Sequence, residues 1–404
     1  MRLAILSLAL LALLPPAAPR AGVTIRCIDV GQGDATLVES SSGLTLLFDG
    51  GDNGKGNNVI NPYLAGRGIS EITYMIASHY HADHVGGLDE VYNGTGVTTA
   101  CYDRGWSYTT QTYQGYANAV ASKRQTLTDG QVIDLGDDVL VRCVAINGNG
   151  VLSSPFSQPP HDENDLCIAL LVTCGEFDFF VAGDLGGQNT SSYADIETSL
   201  GPEVGDIEVY RVDHHGSQYA SNATFLAALA PEVSIISVGT NSYGHPNLST
   251  INRLVAADSY IYQTELGSGG TIPAGAGRVV SGHVVIETDG VFSFTVAGDV
   301  YTLGSSDCCP QDPVPLPMLS LDIAPNPCNT AATVRYRTPE PRQPGWIVLH
   351  DLSGRQLRRW QVSGSGELTW DGKDASGVDL ADGVYFVRWF GPEGAPAKRL
   401  LVVR

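Results

Sequence analysis

Basic residues are scarce in the first three quarters of the chain. Between positions 22 and 305 there are 32 acidic and 10 basic residues, whereas positions 306–404 carry 11 of each. Affinity for a long polyanion comes mainly from Lys and Arg on its phosphates. This composition therefore disfavours a long nucleic acid as the bound partner, although bound metal cations would offset the negative charge locally.

Long apolar runs are also missing, apart from Leu3–Leu14. This run follows Arg2, precedes small residues near Ala21, and is shorter than the about 20 residues that span a bilayer. The pattern predicts a secretory signal peptide over residues 1–21, with a buried N-terminal helix as the alternative. We therefore expect an exported chain without a transmembrane anchor, located in the periplasm, at the cell surface or outside the cell.

None of the cysteines has zinc-ribbon spacing, which argues against a cysteine metal site. Export favours disulfides, although the sequence does not fix their pairing. The eight cysteines are Cys27, Cys101, Cys143, Cys167, Cys174, Cys308, Cys309 and Cys328.

The composition divides the chain in two at a segment rich in proline, residues 304–319, which we interpret as a linker. Residues 22–303 contain two groups of short apolar runs with helical patterns between them, which predicts an α/β sandwich with helices on its outer faces. Residues 320–404 contain short runs separated by turns, which predicts a small β-sandwich.

Three of the nine histidines fall within "ASHYHADHVGG", residues 77–87. His79 ends a predicted buried strand, and the strand period of two lets His79 and His81 point to the same side. Asp83 and His84 follow where the strand gives way to a turn and helix. Imidazole and carboxylate groups together bind zinc-like cations, so the cluster predicts two neighbouring metal sites.

Further candidate ligands follow other predicted strands. Asp184 ends "FFVAGD", His214 and His215 end "YRVDHH", and His245 lies in "SVGTNSYGHP". The total exceeds the four ligands of a closed structural site, which favours a catalytic centre.

The motif "SHYHADHVGG" resembles the His-x-His-x-Asp-His motif of the metallo-β-lactamase superfamily. Together with "IDVGQGDATLVE", "LLFDGG", "AGDL", "DHHGS" and "YGHP", it resembles the hydrolase domain of ComEC-type competence proteins over nearly all of residues 22–300. The resemblance implies an αββα sandwich with a metal site on one edge. The membrane channel of the ComEC proteins is absent, so a role in DNA uptake is not implied.

The same resemblance implies two divalent metal ions, zinc or alternatively manganese, and a role for each candidate ligand. The implied ligands of the first metal are His79, His81 and one of His214 and His215, preferably His214. Those of the second metal are Asp83, His84 and His245. Asp184 is the implied bridge between the two metals.

Several nearby residues leave alternatives open. Many superfamily enzymes take a first-site ligand from the interval that here contains only His161, which is either that ligand or a solvated loop residue. Asp29, Asp34 and Asp49 are either orienting partners of the ligands or turn formers beside glycine. Gln32, which lies in a glycine turn, is interpreted as a support of that turn. A structural role is expected for His283 and His350, which lie in strand-like runs.

Two cations with a bridging carboxylate would activate a water to hydroxide without a serine or cysteine nucleophile, and Asp83 could orient that hydroxide. The resemblance favours hydrolysis of a phosphodiester, by a nuclease or a small phosphodiesterase similar to secreted phosphocholine esterases. The acidic charge favours the small or local substrate. The alternatives are hydrolysis of an amide or lactone, including β-lactams, and a metal-binding surface protein without turnover.

The C-terminal segment carries "APNPCNTAATVRYRTPE", "LHDLSGRQLRRW" and "WDGKDASGVDLADGVYFVRW". These pieces resemble FlgD-like immunoglobulin-type domains and the C-terminal sorting modules of type IX secretion. The resemblance implies contact with secretion or cell-surface machinery, whereas the alternative is an ordinary spacer domain.

Overall fold

The computed structural model describes residues 22–148, 162–303 and most of 320–403, with gaps at 325–327, 330, 338–343, 352–354, 364–365 and 391–396. The predicted signal peptide, the predicted linker and His161 lie outside the described residues. The chain divides into two compact units between Pro310 and Gln311. Among the described residues, no helix is both long and apolar enough to cross a membrane.

The described residues of the first unit form seventeen strands in two sheets. The first six are β1 (Val23–Cys27), β2 (Thr36–Ser40), β3 (Thr45–Phe48), β4 (Ile72–Ile76), β5 (Val97–Asp103) and β6 (Arg124–Thr126). The next eight are β7 (Val132–Asp134), β8 (Val139–Ala145), β9 (Ala169–Cys174), β10 (Phe177–Ala182), β11 (Val209–Arg211), β12 (Val233–Ile236), β13 (Tyr260–Gln263) and β14 (Gly277–Val279). The last three are β15 (Val284–Thr288), β16 (Ser293–Val296) and β17 (Asp299–Thr302).

One sheet has the order β17-β16-β15-β1-β2-β3-β4-β5-β6, and the other has the order β14-β13-β12-β11-β10-β9-β8-β7. The strands β3 to β6 run parallel, as do β10 to β14. Because the carboxyl ends of parallel strands meet at one edge, loops that follow them along the chain gather there.

Seven helices cover the outer faces. They are α1 (Asn61–Gly66), α2 (Ala82–Val85), α3 (Leu88–Gly94), α4 (Gln111–Ala119), α5 (Glu197–Val204), α6 (Ala223–Leu229) and α7 (Leu248–Ala256). A π-helical turn, Gly56–Ile60, precedes α1, and two 3-10 turns, Glu163–Leu166 and Asp213–Gly216, follow β8 and β11.

The apolar residues separate into three layers, as strand β10 illustrates. Phe177 and Phe179 belong to the core between the two sheets, whereas Phe180 packs with Phe225 of α6 in the core under α5–α7. A third core joins the other sheet to α1–α4. Alternate side chains of a strand point to opposite faces, so a strand buried on both faces is apolar throughout. The predicted αββα sandwich is confirmed.

The expectation of disulfides is wrong for the described cysteines of this unit. Cys27, Cys101, Cys143, Cys167 and Cys174 are buried and form no disulfide. Burial raises the pKa of the Cys27 thiol to about 11 and that of Cys143 to about 12, so these thiols stay protonated and pack as small apolar groups.

The second unit consists of two antiparallel sheets around one core, in agreement with the predicted β-rich C-terminal region. Trp370 and Trp389 are among its buried side chains. The sheets have the orders β18-β19-β22 and β21-β20-β23-β24. Their strands are β18 (Ser320–Ala324), β19 (Ala332–Arg337), β20 (Pro344–His350), β21 (Gln356–Ser363), β22 (Gly366–Trp370), β23 (Gly383–Phe390) and β24 (Ala397–Val402).

Candidate metal centre

Polar side chains gather at the edge of the first unit where the parallel strands end. The loop after β4 carries His79 and His81 and leads into α2, whose second residue is Asp83. Asp184 lies two residues beyond the end of β10, and the 3-10 turn after β11 contains both His214 and His215. His245 follows β12. These eight candidate ligands, including His84 in α2, come together around one cavity.

Asp184 stands between two groups of histidines. Its Oδ1 lies 3.1 Å from Nε2 of His84 and 3.5 Å from Nε2 of His215. Its Oδ2 lies 3.5 Å from Nε2 of His214 and 3.9 Å from Nε2 of His79. The two oxygens of one buried carboxylate therefore face different sets of imidazoles.

The remaining candidate ligands complete these two sets. Donor atoms of His79, His81 and Asp184 lie within 4.8 Å of one another. On the other side, Oδ2 of Asp83 is 3.3 Å from Nε2 of His215. The His245 ring lies 5.4 Å from that of His214 and 6.2 Å from that of His215, so it borders both sets at the open side of the cavity.

Hydrogen bonds behind the cavity fix the tautomers of three histidines. Nδ1 of His215 lies 3.0 Å from the Ser237 carbonyl, which can only accept, so the hydrogen is on Nδ1. Nδ1 of His84 likewise lies 2.9 Å from the carboxylate of Asp49. When these rings are neutral, Nε2 therefore carries the lone pair.

The same reasoning extends to His79 through Ser78. The Ser78 hydroxyl donates to Asp49 at 2.7 Å, so it can only accept from Nδ1 of His79, at 3.0 Å. Nε2 of His79, His84 and His215 and Oδ1 of Asp184 are all buried without a hydrogen-bond partner among the described residues. Lone pairs that face a carboxylate oxygen in a buried site fit a metal cation, because a cation satisfies all of them at once.

Asp34 belongs to the layer behind the ligands. It contacts the buried Arg211 and lies 3.6 Å from Nδ1 of both His84 and His215. Each of these nitrogens already donates to another acceptor, Asp49 or the Ser237 carbonyl. Asp34 therefore places a negative charge beside the two rings, and its position also groups it with candidate metal ligands. Asp49, which accepts from Nδ1 of His84, orients that ring.

Asp29 supports a turn and does not contact the candidate ligands through any hydrogen bond of the described residues. It accepts a hydrogen bond from the Gly31 backbone N–H at 3.0 Å, which supports a turn. The expected structural role of His283 is confirmed, because its Nδ1 accepts from the Asp29 backbone N–H at 2.9 Å and its ring packs on Tyr63.

The electrostatics of the metal-free site are dominated by burial and by Asp184. Burial alone would raise the pKa of Asp184, but His214, His84 and His215 hold that pKa well below its usual range. Burial lowers the pKa of His79 well below its usual value. For His84 burial acts in the same direction, but Asp184 and Asp83 outweigh it and raise the pKa well above its usual value.

Gly183 of the "AGDL" motif directly precedes Asp184, and steric contacts require a glycine there. A Cβ at this position would lie 2.4 Å from Oγ of Ser78 and 2.9 Å from Nδ1 of His79. Only glycine lets the backbone of Asp184 approach the histidine layer this closely.

Two other buried carboxylates, Asp165 and Asp213, lie outside the two sets of candidate ligands. Asp165 accepts from the Ala194 backbone N–H at 2.9 Å, and burial raises its pKa to about 7. Asp213 is buried against Glu197, and burial together with Glu197 raises its pKa well above its usual value. Neither is in a candidate metal group among the described residues.

The cavity in front of these residues has a volume of about 480 Å³. Sequence reasoning considered Gln32 only as a support of its turn, and it missed most of the polar and aromatic lining. The lining that was missed consists of Asn164, Tyr193, Ser217, Gln218, Tyr219, Tyr243 and Asn247. Ser217 ends the "DHHGS" motif, Gln218 and Tyr219 directly follow it, and Tyr243 begins the "YGHP" motif, so these two motifs were the available signal. Asn164 and Tyr193 come from segments without a motif.

Comparison with known proteins places this site in a family. The sequence is 28% identical over 269 residues to the competence protein ComA of Neisseria gonorrhoeae, covering 65% of this chain and 34% of that protein. It is 22% identical over 255 residues to the ComE operon protein 3 of Bacillus subtilis, covering 59% of this chain and 31% of that protein. The chain thus spans about a third of the length of these relatives.

Among solved structures, Zn(2+)-bound PqqB from Methylobacterium extorquens matches with 12% identity and a TM-score of 0.37, covering 60% of this chain and 87% of that one. The sequence model of the metallo-beta-lactamase superfamily matches residues 28–240, which is more than half of the chain and contains all the candidate ligands except His245. The chain belongs to the metallo-beta-lactamase superfamily.

Proposed function

We propose that this protein is a hydrolase with two divalent metal ions that cleaves phosphodiester bonds. The observation that supports it best is the position of Asp184, whose two oxygens face separate sets of histidine Nε2 atoms. Two such ions, when bound, supply Lewis acidity and an activated water. The likeness to competence proteins supports a phosphodiester as the substrate.

The proposed first site consists of His79, His81 and His214 with Oδ2 of Asp184. The proposed second site consists of Asp83, His84 and His215 with Oδ1 of Asp184, with His245 at its open side. This assignment supports the preference for His214 in the first site. It differs from the sequence-based assignment by placing His215 in the second site next to Asp83.

The residues of the chain would divide the work as follows. Asp49, Ser78 and the Ser237 carbonyl hold the imidazole rings with Nε2 towards the cavity. Asp83 is partly exposed, with 29% of its side chain accessible, and faces the cavity. His84 and His215 hold its pKa below the usual range against the effect of burial, so it is a carboxylate that can accept a hydrogen bond from an attacking water.

The test combines metal content with turnover. We expect purified protein supplied with zinc or manganese to contain about two ions per chain and to hydrolyse an unactivated dinucleotide phosphodiester. Elemental analysis and chromatography of products measure both. A β-lactam and a lactone are the comparison substrates. Metal content near zero would contradict the dinuclear site, and two ions without hydrolysis of any substrate would favour the non-catalytic metal-binding alternative.

We also propose that the chain is exported and that residues 320–404 are a FlgD-like module that contacts secretion or cell-surface machinery. The two-sheet sandwich supports this module, and residues 1–21 have the pattern of a signal peptide. In the native host, we expect the extracytoplasmic fraction to contain a protein whose N-terminus begins close to Gly22. Deletion of residues 320–404 should move it away from its final location, and recovery only from the cytoplasm in both forms would contradict export.

A further inference from the structure

One wall of the cavity carries a pair of tyrosines beside the proposed first site. The ring centroids of Tyr193 and Tyr219 are 5.3 Å apart with an interplanar angle of 35°. The Tyr193 ring meets the His214 ring at 6.1 Å in an edge-to-face arrangement. Both tyrosines are half-buried and line the cavity, so they form one aromatic platform next to a candidate metal ligand.

Apart from the candidate metal ligands, the rest of the described lining is neutral and rich in amides. Gln32, Asn164 and Gln218 line the cavity, and no Lys or Arg does so among the described residues. Asn164 is only 3% exposed, and its Oδ1 has no hydrogen-bond partner within the described ranges. Its Nδ2 lies 3.5 Å from Nε2 of His214, so this amide sits at the junction of the platform and the metal ligands.

These groups distinguish between kinds of substrate. A second phosphate or another anionic group would need a cation that the described wall does not supply. A quaternary ammonium group could lie against the tyrosine faces by cation–π contact, but it has no hydrogen-bonding edge and would leave Oδ1 of Asn164 without a partner. A neutral planar ring with hydrogen-bonding edges suits both features, because tyrosines stack on its face and amides bind its edge.

We propose that Tyr193 and Tyr219 bind one nucleobase of the substrate by stacking and that Asn164 hydrogen-bonds its edge. This inference rests on the proposed phosphodiester hydrolysis and specifies the group attached to the phosphate. Recognition is limited to one base next to the scissile bond, because the described cavity has no basic residues that could bind further phosphates of a nucleic-acid backbone.

The experiment compares substrates that differ only in the bases. The metal-loaded full chain receives the dinucleotide TpT, its analogue with tetrahydrofuran in place of both nucleosides, and glycerophosphocholine, and products are separated by chromatography. We expect kcat/KM for TpT to exceed that of the abasic analogue by at least about tenfold, which is within the usual worth of base stacking. Tyr219→Ala should reduce this ratio about tenfold, whereas Tyr219→Phe, which keeps the ring, should retain it.

Equal rates for TpT and the abasic analogue would overturn the inference while leaving phosphodiester hydrolysis intact. Preference for glycerophosphocholine that is lost in Tyr219→Ala would also overturn it, in favour of an ammonium group. If no phosphodiester is cleaved, the proposed function fails, and binding still tests the platform. Saturation-transfer NMR of TpT with metal-free protein should then show transfer to the thymine protons that disappears in Tyr219→Ala, and absence of transfer in the parent would overturn the inference.

Discussion

At the scale of single residues, the site depends on one carboxylate held among four imidazoles. Asp184 is 4% exposed, and the histidines keep it ionised although burial alone would favour the neutral acid. A buried charge persists only when partners compensate for lost hydration. In the metal-free protein His84 is that partner, since its pKa is raised well above the usual value by Asp184 and Asp83.

The substitution Asp184→Asn tests this residue directly. The neutral amide retains the size of the side chain but cannot offer a charged oxygen to each metal. We expect both sites to weaken and the rate to fall at least about a hundredfold, or roughly 2.7 kcal/mol in the barrier. Turnover on TpT and metal content measure the effect, with circular dichroism to check the fold.

Asp178→Asn is the matched control. Asp178 lies on β10, the strand that leads to Asp184, and it accepts a hydrogen bond from Thr173 at 2.5 Å, away from the cavity. It should retain turnover. Unchanged activity and metal content in Asp184→Asn would remove Asp184 as the bridge, and the two-site assignment with it.

The sequence marks the candidate ligands, but it does not decide between the two roles left open for Asp49. The eight candidate ligands are marked by motifs and by their positions after apolar strands. The orienting role of Asp49 depends on contacts with Ser78 and His84, 29 and 35 positions away. Such pairings follow from the packing of β3 against β4, which periodicity does not encode.

At the scale of elements, the strands that could be predicted are those with nearly continuous apolar runs. The predicted strands that lead to His79, Asp184 and His245 correspond to β4, β10 and β12. Strand β14 was missed because it is three residues long with Gly277 at its start, and β16 because only two of its four residues are apolar. Helix α4 was missed as well, since its buried face consists of Tyr113 and Tyr116 among polar residues.

The opposite end of the second sheet carries an acidic cluster at the starts of β11 and β12. Burial, followed by Glu208 and Asp206, raises the pKa of Glu232 from 4.5 to about 8. Burial also raises the pKa of Glu208 to about 7. The pKa of such a carboxyl group is higher in the folded chain than in the unfolded chain. The group then contributes to the stability of the fold at pH values below its pKa in the unfolded chain, and this contribution is lost as pH rises through its pKa in the folded chain.

Glu232→Gln should therefore make the first unit less sensitive to alkaline pH. We expect the variant to melt about 2 °C above the parent at pH 8 and close to it at pH 5, a modest shift because Glu232 is only half-buried. Thermal unfolding of both proteins at the two pH values measures this. Glu71→Gln, at an exposed position, is the control. An equal shift at both pH values would show that the charge of Glu232 is not the cause.

At the scale of the whole molecule, the distribution of charge sets which substrates reach the site. Residues 22–305 carry 22 more acidic than basic residues, whereas the remaining residues to the C-terminus are balanced. An excess of one sign produces a field that repels like-charged ligands over about one Debye length, roughly 10 Å at 0.1 M salt. Such a field acts strongly on a long strand with many phosphates and weakly on a dinucleotide with one.

If the proposed hydrolysis takes place, salt should affect it in the direction opposite to its effect on the binding of ordinary nucleic-acid-binding proteins. Those proteins release counterions from Lys and Arg contacts, so salt weakens their binding steeply. Here, raising NaCl from about 20 to about 200 mM should increase kcat/KM on a single-stranded oligonucleotide of about 30 nucleotides several-fold, because screening removes the repulsion. The value for TpT should stay nearly constant, which makes TpT the internal control for any effect of salt on metal loading or on the chemical step. A steep fall with salt on the long strand alone would indicate a basic track that binds the backbone. That result would contradict the view that recognition is confined to the scissile phosphate and one adjacent base.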